Sequence, residues 1–234
     1  MPLMPRPNSM GSTLLVSVLA LALTGCASPP PAQDPEGWHP VSLPGKSATR
    51  YQWEHKDGRR ALAAESDGSA SMWRRAVVRP ADALGEVSFS WWVQDLVAGG
   101  NVADVAREDA PARVLFAFHG DIGTLPPRPR AMFDLAEALT GERPPFATLM
   151  YVWDATAPVG TVIVNPRSDR IRKIVLDSGS THLRQWRDHR RDLAADYRRA
   201  FGEAPGALKA VAVMTDSDNT RSSAKSWFGT IDLH

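Results

Sequence analysis

About ten short segments, rich in β-branched and aromatic residues and parted by turn formers, constrain this chain more than any other feature. Glu86–Val93 shows the pattern best: alternation puts Val87, Phe89 and Trp91 on one face and Trp92 on the other. Arg50–His55 and Arg60–Ser66 flank Asp57-Gly58, a hairpin signal. Ala70–Val78, Arg113–Phe118, Ala147–Trp153, Thr161–Val164, Ile171–Leu176, Leu208–Met214 and Trp227–Leu233 complete the set. Several of them are apolar on both faces, as strands buried inside a sandwich are. The strand–helix–strand rhythm of a parallel sheet is missing, and no glycine-rich phosphate loop follows a strand. The expected fold is therefore mainly β, an antiparallel β-sandwich of two packed sheets.

About two short helices interrupt it. Ala131–Leu139 places Met132, Leu135, Ala136 and Leu139 on one apolar stripe, with Gly141 as the stop. A second is expected from an N-cap at Asp188 through Phe201, with Leu193, Tyr197 and Phe201 recurring every fourth residue and Gly202 at its end.

The N-terminus gives an address. Leu14–Leu23 is a short apolar run, about half of what a bilayer-spanning helix needs, with Arg6 before it. It ends in Leu23-Thr24-Gly25-Cys26, the small-residue pattern that precedes a lipidated cysteine. Residues 1–25 are read as a lipoprotein signal, Cys26 as the lipidation site carrying diacylglyceryl and N-acyl chains, and residues 26–36 as a proline-rich tether. Residues 37–234 form the domain. Ala27, in place of Asp, favours the bacterial outer membrane, with the domain facing the periplasm.

Composition narrows the chemistry. Cys26 is the only cysteine, so its lipidation leaves no thiol for disulfides, redox work or zinc. Losing Arg6 with the signal leaves 26 basic residues against 26 acidic ones, and a net charge near zero gives no electrostatic case for nucleic acid or for acidic lipid surfaces. There is no G-x-S-x-G elbow, no H-E-x-x-H pair and no marked pair of carboxylates of the kind that glycan hydrolysis needs.

Four features remain as candidates. Thr215–Thr220 follows an apolar strand. Asp216, Asp218 and Asn219 there fit either an Asx turn or a calcium site built from oxygen ligands. It is not an EF-hand, since Arg221 and Trp227 stand where glycine and glutamate are required. His119 and Asp121 end another apolar strand, as a strand-closing turn or a ligand-binding edge. Among eight tryptophans, Trp92 and Trp153 are candidates for stacking on sugar rings, with core packing as the alternative. The basic run from Arg184 to Arg191 is offset by Asp188 and Asp192, which suits a solvated, salt-bridged helix face.

Ala138-Leu-Thr-Gly-Glu142, Ala147–Trp153, Arg170-Ile-Arg172, Ser178-Gly179, Gln185-Trp186, Arg198–Glu203 and Met214–Thr220 together resemble a bacterial family of unknown function, numbered 3047. The likeness spans most of Trp38–Leu233. It implies a secreted or envelope β-sandwich of jelly-roll, lectin- or glucanase-like kind and brings no catalytic residue with it. Thr230 stands where the family often has an acid. The resulting expectation is an outer-membrane lipoprotein that binds a ligand without turning it over. Carbohydrate or an envelope polysaccharide leads as ligand. A protein-interaction adaptor of the envelope is the alternative, and a glycan-cleaving hydrolase comes third.

Overall fold

The computed structural model describes residues 37–234, together with Met1. The signal, Cys26 and the tether lie outside the described residues. Among the described residues no helix is long and apolar enough to cross a membrane.

Two sheets face one another. The larger has seven strands: β1 (Trp38–Ser42), β4 (Ser71–Arg79), β11 (Leu208–Met214), β6 (Arg113–Phe118), β7 (Ala147–Asp154), β9 (Ser168–Ser178) and β8 (Val162–Asn165), side by side in that order. The smaller has β10 (Trp186–Asp192), β5 (Glu86–Val93), β12 (Ser223–Phe228), β3 (Arg59–Asp67) and β2 (Arg50–Lys56), with the short β13 (Asp232–Leu233) on β5. Helices α1 (Pro127–Thr140) and α2 (Leu193–Phe201) lie in connections. The fold is the expected mainly-β sandwich with two helices. Its pairings are antiparallel except β7 with β9, which run parallel.

The core follows from strand alternation. Val87, Phe89 and Trp91 of β5 meet Val114, Phe116 and Phe118 of β6, Leu149, Tyr151 and Trp153 of β7, and Val211 and Val213 of β11 in one buried cluster. The Phe89 ring stacks on Tyr151 at 5.5 Å, and Trp91 lies 6.3 Å from Trp153. The hairpin at Asp57-Gly58 forms as expected: Lys56 pairs with Arg59, and both turn residues have positive φ, 48° and 80°.

Three local expectations are corrected. The charged run is not a helix. Residues 186–192 form β10 against β5, with Arg187, His189 and Arg191 turned inward and Asp188, Arg190 and Asp192 outward. Two-residue alternation of half-buried charges suits a strand, because each inward charge finds a partner: Arg187 and His189 meet Asp177, and Arg191 meets Asp196. The cap of α2 is therefore Asp192, whose carboxylate accepts from Ala195 N at 2.8 Å. The segment expected as one strand over Trp227–Leu233 is two, broken at Gly229–Ile231. The apolar stripe of α1 faces solvent: Met132, Leu135 and Leu139 are 58, 52 and 75 % exposed, and only Phe133 of that helix is buried.

Candidate functional site

The second face of the seven-stranded sheet holds the site. On β6, Val114, Phe116 and Phe118 point to the core, so Leu115 and Ala117 point away from it. The same alternation sends out Met72 on β4, Ala210, Ala212 and Met214 on β11, and Thr148 and Met150 on β7. These side chains floor a groove of about 510 Å³ across the middle strands. Loops rim it through Leu43 and Lys46, Glu108, Pro145, Arg167 and Asn219. Toward β8 the same face is covered, because Val102 and Ala110 of the loop between β5 and β6 pack on Val152 and Val175. The groove is thus the part of an apolar sheet face that this loop leaves open.

Where the loop meets the groove, buried charges assemble. Arg113, only 2 % exposed, donates from Nε to Asp216 Oδ1 at 2.8 Å and from a terminal nitrogen to Oδ2 at 2.9 Å. The same terminal nitrogen also donates to the Glu108 carbonyl at 2.7 Å. The Glu108 carboxylate accepts from Lys173 at 2.6 Å, Asn165 at 2.7 Å and Arg167 at 2.7 Å. Lys173 has no exposed surface and also donates to the Val102 carbonyl at 2.5 Å. Burial, and then the neighbouring Arg113 charge, pull its ammonium from 10.5 down to about 8. Burial pushes the Asp216 carboxyl up to about 6, against the opposing pull of Arg113. Burial also acts to lower the Arg113 guanidinium, but Asp216 and Glu108 outweigh it and hold the group above its usual value. Lys209 also lines the groove, and Arg74, on β4 beside Ala212, is bidentate to Glu142 at 2.8 and 3.2 Å.

The residues singled out from sequence distribute unevenly around this groove. Asp216, Asp218 and Asn219 line it. Asp109, Asp216 and Asp218 bring one carboxylate oxygen each within 4.8 Å of one another. Each of these carboxylates also has partners of its own: Asp216 has Arg113, Asp218 has Lys46, and Asp109 accepts from the Asn219 and Thr220 amides at 3.2 and 2.7 Å. Asp109 thus closes the turn that follows β11, and an incoming calcium ion would compete with these bonds. His119 and Asp121 are exposed and line a separate hollow of about 370 Å³ with Arg143 and Lys209. Asp121 caps a 3₁₀ turn by accepting from Gly123 N at 2.8 Å. Gly120 between them lies against the Phe146 ring, and a Cβ there would come within 2.1 Å of it.

The two tryptophans do not offer stacking faces. Trp153 has no exposed surface, packs on Trp91 between the sheets and donates to the Gly179 carbonyl at 3.0 Å. Trp92 is on the outer face of the smaller sheet, as its alternation requires, but is only 6 % exposed. Trp227 meets it edge-on at 4.9 Å, and the Lys56 ammonium sits 3.8 Å over its ring. Neither ring touches the groove, and among the described residues lining the groove none is aromatic. Sequence reasoning missed the floor residues Met72, Leu115 and Met150 and the charges Glu108 and Lys173. The apolar character of the floor residues was visible in strands apolar on both faces, whereas Glu108 and Lys173 carry no local signal.

A family model described as a protein of unknown function, DUF3047, matches residues 36–232. The chain belongs to this family. No curated protein matches this DUF3047 member. Solved structures similar to it include the xyloglucanase domain of NopAA, a type three effector from Sinorhizobium fredii, in complex with cellobiose. That likeness has 9 % identity and a TM-score of 0.46, over 87 % of this chain and 99 % of that one. Endoglucanase cel12A from Rhodothermus marinus has 11 % identity and a TM-score of 0.46, over 84 % and 92 % of the two chains. The family 11 carbohydrate-binding module of the cellulosomal cellulase Lic26A-Cel5E of Clostridium thermocellum has 10 % identity and a TM-score of 0.38, over 84 % and 86 %.

Proposed function

We propose that this DUF3047 member is a non-catalytic ligand-binding domain of the bacterial envelope, anchored through a lipid on Cys26, and that its ligand is an extended amphiphile lying in the groove. One observation carries the reading. The middle of a large sheet keeps an uncovered floor of Met72, Leu115, Ala117, Met150, Ala210, Ala212 and Met214, while Arg74, Glu108, Arg113, Asp216 and Asp218 around it are held in ion pairs. Water gains nothing from such a floor, and a flexible apolar chain does: burying it is worth roughly 25 cal/mol per Å² of apolar surface. Methionine and alanine make a pliable, narrow seat that suits an acyl chain, whereas a pyranose ring is better served by a flat aromatic face.

The non-catalytic part rests on the carboxylates. Acid/base cleavage needs two carboxyls free to act on one bond. Along the groove Glu108, Asp216 and Asp218 are each held by an arginine or lysine.

A glycan is the second reading. It is favoured by the hydrogen-bonding groups that line the groove, Arg74, Lys209, Asn165, Arg167 and Asn219. Displacement of a fluorescent fatty acid from residues 27–234 separates the two. Dodecanoate and lysophosphatidylglycerol are expected to compete saturably, and cello-oligosaccharides and peptidoglycan fragments are expected not to. The reverse pattern establishes the glycan. Failure of both classes leaves the envelope adaptor, to be sought by crosslinking.

A further inference from the structure

We propose that the outward face of helix α1 rests on a bilayer surface and presents the adjoining mouth of the groove to it. This rests on the anchor and groove proposed above.

Four observations meet here. First, α1 is amphipathic the wrong way round for a core helix. Its buried contact is Phe133 alone, while Met132, Leu135 and Leu139 stand in water on one stripe with the exposed small residues Ala131 and Ala138. Three large apolar side chains spaced three and four residues apart are a contiguous patch, and such patches mark contact surfaces. Second, the charge in line with Met132, Leu135 and Leu139 is basic. Arg128 precedes Met132 by one helical turn and is exposed, whereas Asp134 borders Ala131 and Ala138 and Glu137 lies further around, both tied to Arg143. One arginine at the rim of an apolar stripe suits an anionic headgroup, with the aliphatic stem laid along the acyl boundary.

Third, the helix borders the groove. Met132, Phe133 and Ala136 line a hollow of about 420 Å³ whose other wall is Pro145, Thr148, Arg167 and Ile171, and those four residues also line the groove. A chain leaving the bilayer beside α1 would pass over Pro145 onto the Met150 floor. Fourth, β1, the first described strand, is tied to the end of α1. His39 of β1 pairs with Arg74 of β4, and Arg74 holds Glu142, two residues past the end of α1. From Cys26 to Trp38 the chain spans roughly 40 Å when fully extended, so a lipid on Cys26 keeps α1 within reach of the membrane that bears it. Basic rim, apolar stripe and groove mouth therefore share one side of the domain, and the occupant they fit is a lipid surface.

The test uses the lipidated protein in vesicles of phosphatidylethanolamine and phosphatidylglycerol. With Cys26 acylated, Leu135→Cys supplies one reactive thiol for an environment-sensitive dye, and Val78→Cys, 93 % exposed on β4, is the control. The dye on Leu135→Cys is expected to shift to the blue and to be quenched several-fold more by spin-labelled lipid than the dye on Val78→Cys. A second variant, Met132→Ser with Leu139→Ser, is expected to abolish that difference while leaving the unfolding midpoint unchanged. Equal quenching at both positions overturns the proposal, as does recovery of the protein without a lipid on Cys26. The fatty-acid displacement described above does not depend on vesicles. Binding there with no quenching here refutes the docking face alone, and quenching here with no displacement there refutes the groove reading alone.

Discussion

Removing the Asp216 carboxylate tests whether the charges at the groove end are a closed network or an open site. Asp216 and Arg113 are 3 and 2 % exposed and joined by two hydrogen bonds of 2.8 and 2.9 Å. Asp216→Ala leaves the Arg113 guanidinium buried with only the Glu108 backbone carbonyl at bonding distance and the Glu108 carboxylate 3.9 Å away. Breaking one partner from a buried pair costs about 3–5 kcal/mol, because the other charge stays desolvated. Arg113→Met should cost a similar amount, since Asp216 is then buried with only the Ala110 amide, 3.1 Å away. Replacing both, as Arg113→Met with Asp216→Leu, removes both charges together. The remaining loss is then about 2–6 kcal/mol, from the unpaired Ala110 amide and Glu108 carbonyl at about 1–3 kcal/mol each. The singles should thus sum to well above the double, a coupling of a few kcal/mol. Urea unfolding followed by tryptophan fluorescence measures all four proteins, and each is run in calcium and in chelator. A loss below about 1 kcal/mol for Asp216→Ala refutes the network. A wild-type midpoint that rises in calcium would show that the carboxylates of Asp109, Asp216 and Asp218 serve a metal instead.

Three further outcomes follow from the same geometry. Lys173 has its native ammonium drawn to about 8 from 10.5. Between those values the unfolded chain binds a proton that the native one does not, so stability should rise with pH by up to about 3 kcal/mol. Lys173→Met should lack that rise in urea titrations at pH 7 and pH 9.5. Ala117→Phe puts a ring into the groove from a half-buried floor position, and should weaken fatty-acid binding about tenfold or more with little change in melting temperature. Asp192→Ala removes the α2 cap and should cost about 1 kcal/mol, while Asp188→Ala, on the strand, should cost less because its bond to Arg59 is exposed.

The sheets were legible because strand alternation is a local signal. Val87, Phe89 and Trp91 had to share a face whatever packed against them, and Glu86–Val93, Arg113–Phe118 and Leu208–Met214 form with the bounds their sequences suggest. The groove was not legible, and the reason is physical. A strand apolar on both faces reads as doubly covered. Nothing local to Leu115 or Met150 reports that the loop bearing Val102 and Ala110 covers only one end of their sheet face. Glu108 and Lys173 escaped notice for a related cause: 65 residues separate them in the chain, and a buried pair joined across a fold leaves no spacing to find. The Arg184–Arg191 run misled because charge density suggests solvent, whereas the inward charges of β10 find partners on other elements, Asp177 of β9 and Asp196 of α2, neither at the i+3 or i+4 spacing of a helix face.

Helix α1 shows the converse, a pattern read correctly whose meaning depended on what lay opposite. Met132, Leu135, Ala136 and Leu139 form the stripe that periodicity gives, and a stripe of that kind normally finds the core. Here the core side of the helix is taken by Phe133 alone. The proline pair at 144–145 borders the hollow into which Met132 and Ala136 open. The stripe is left outside. Periodicity identifies a face that must be covered. Whether protein or membrane covers it is fixed by the rest of the molecule, and the quenching of a dye on Leu135→Cys reads that choice directly.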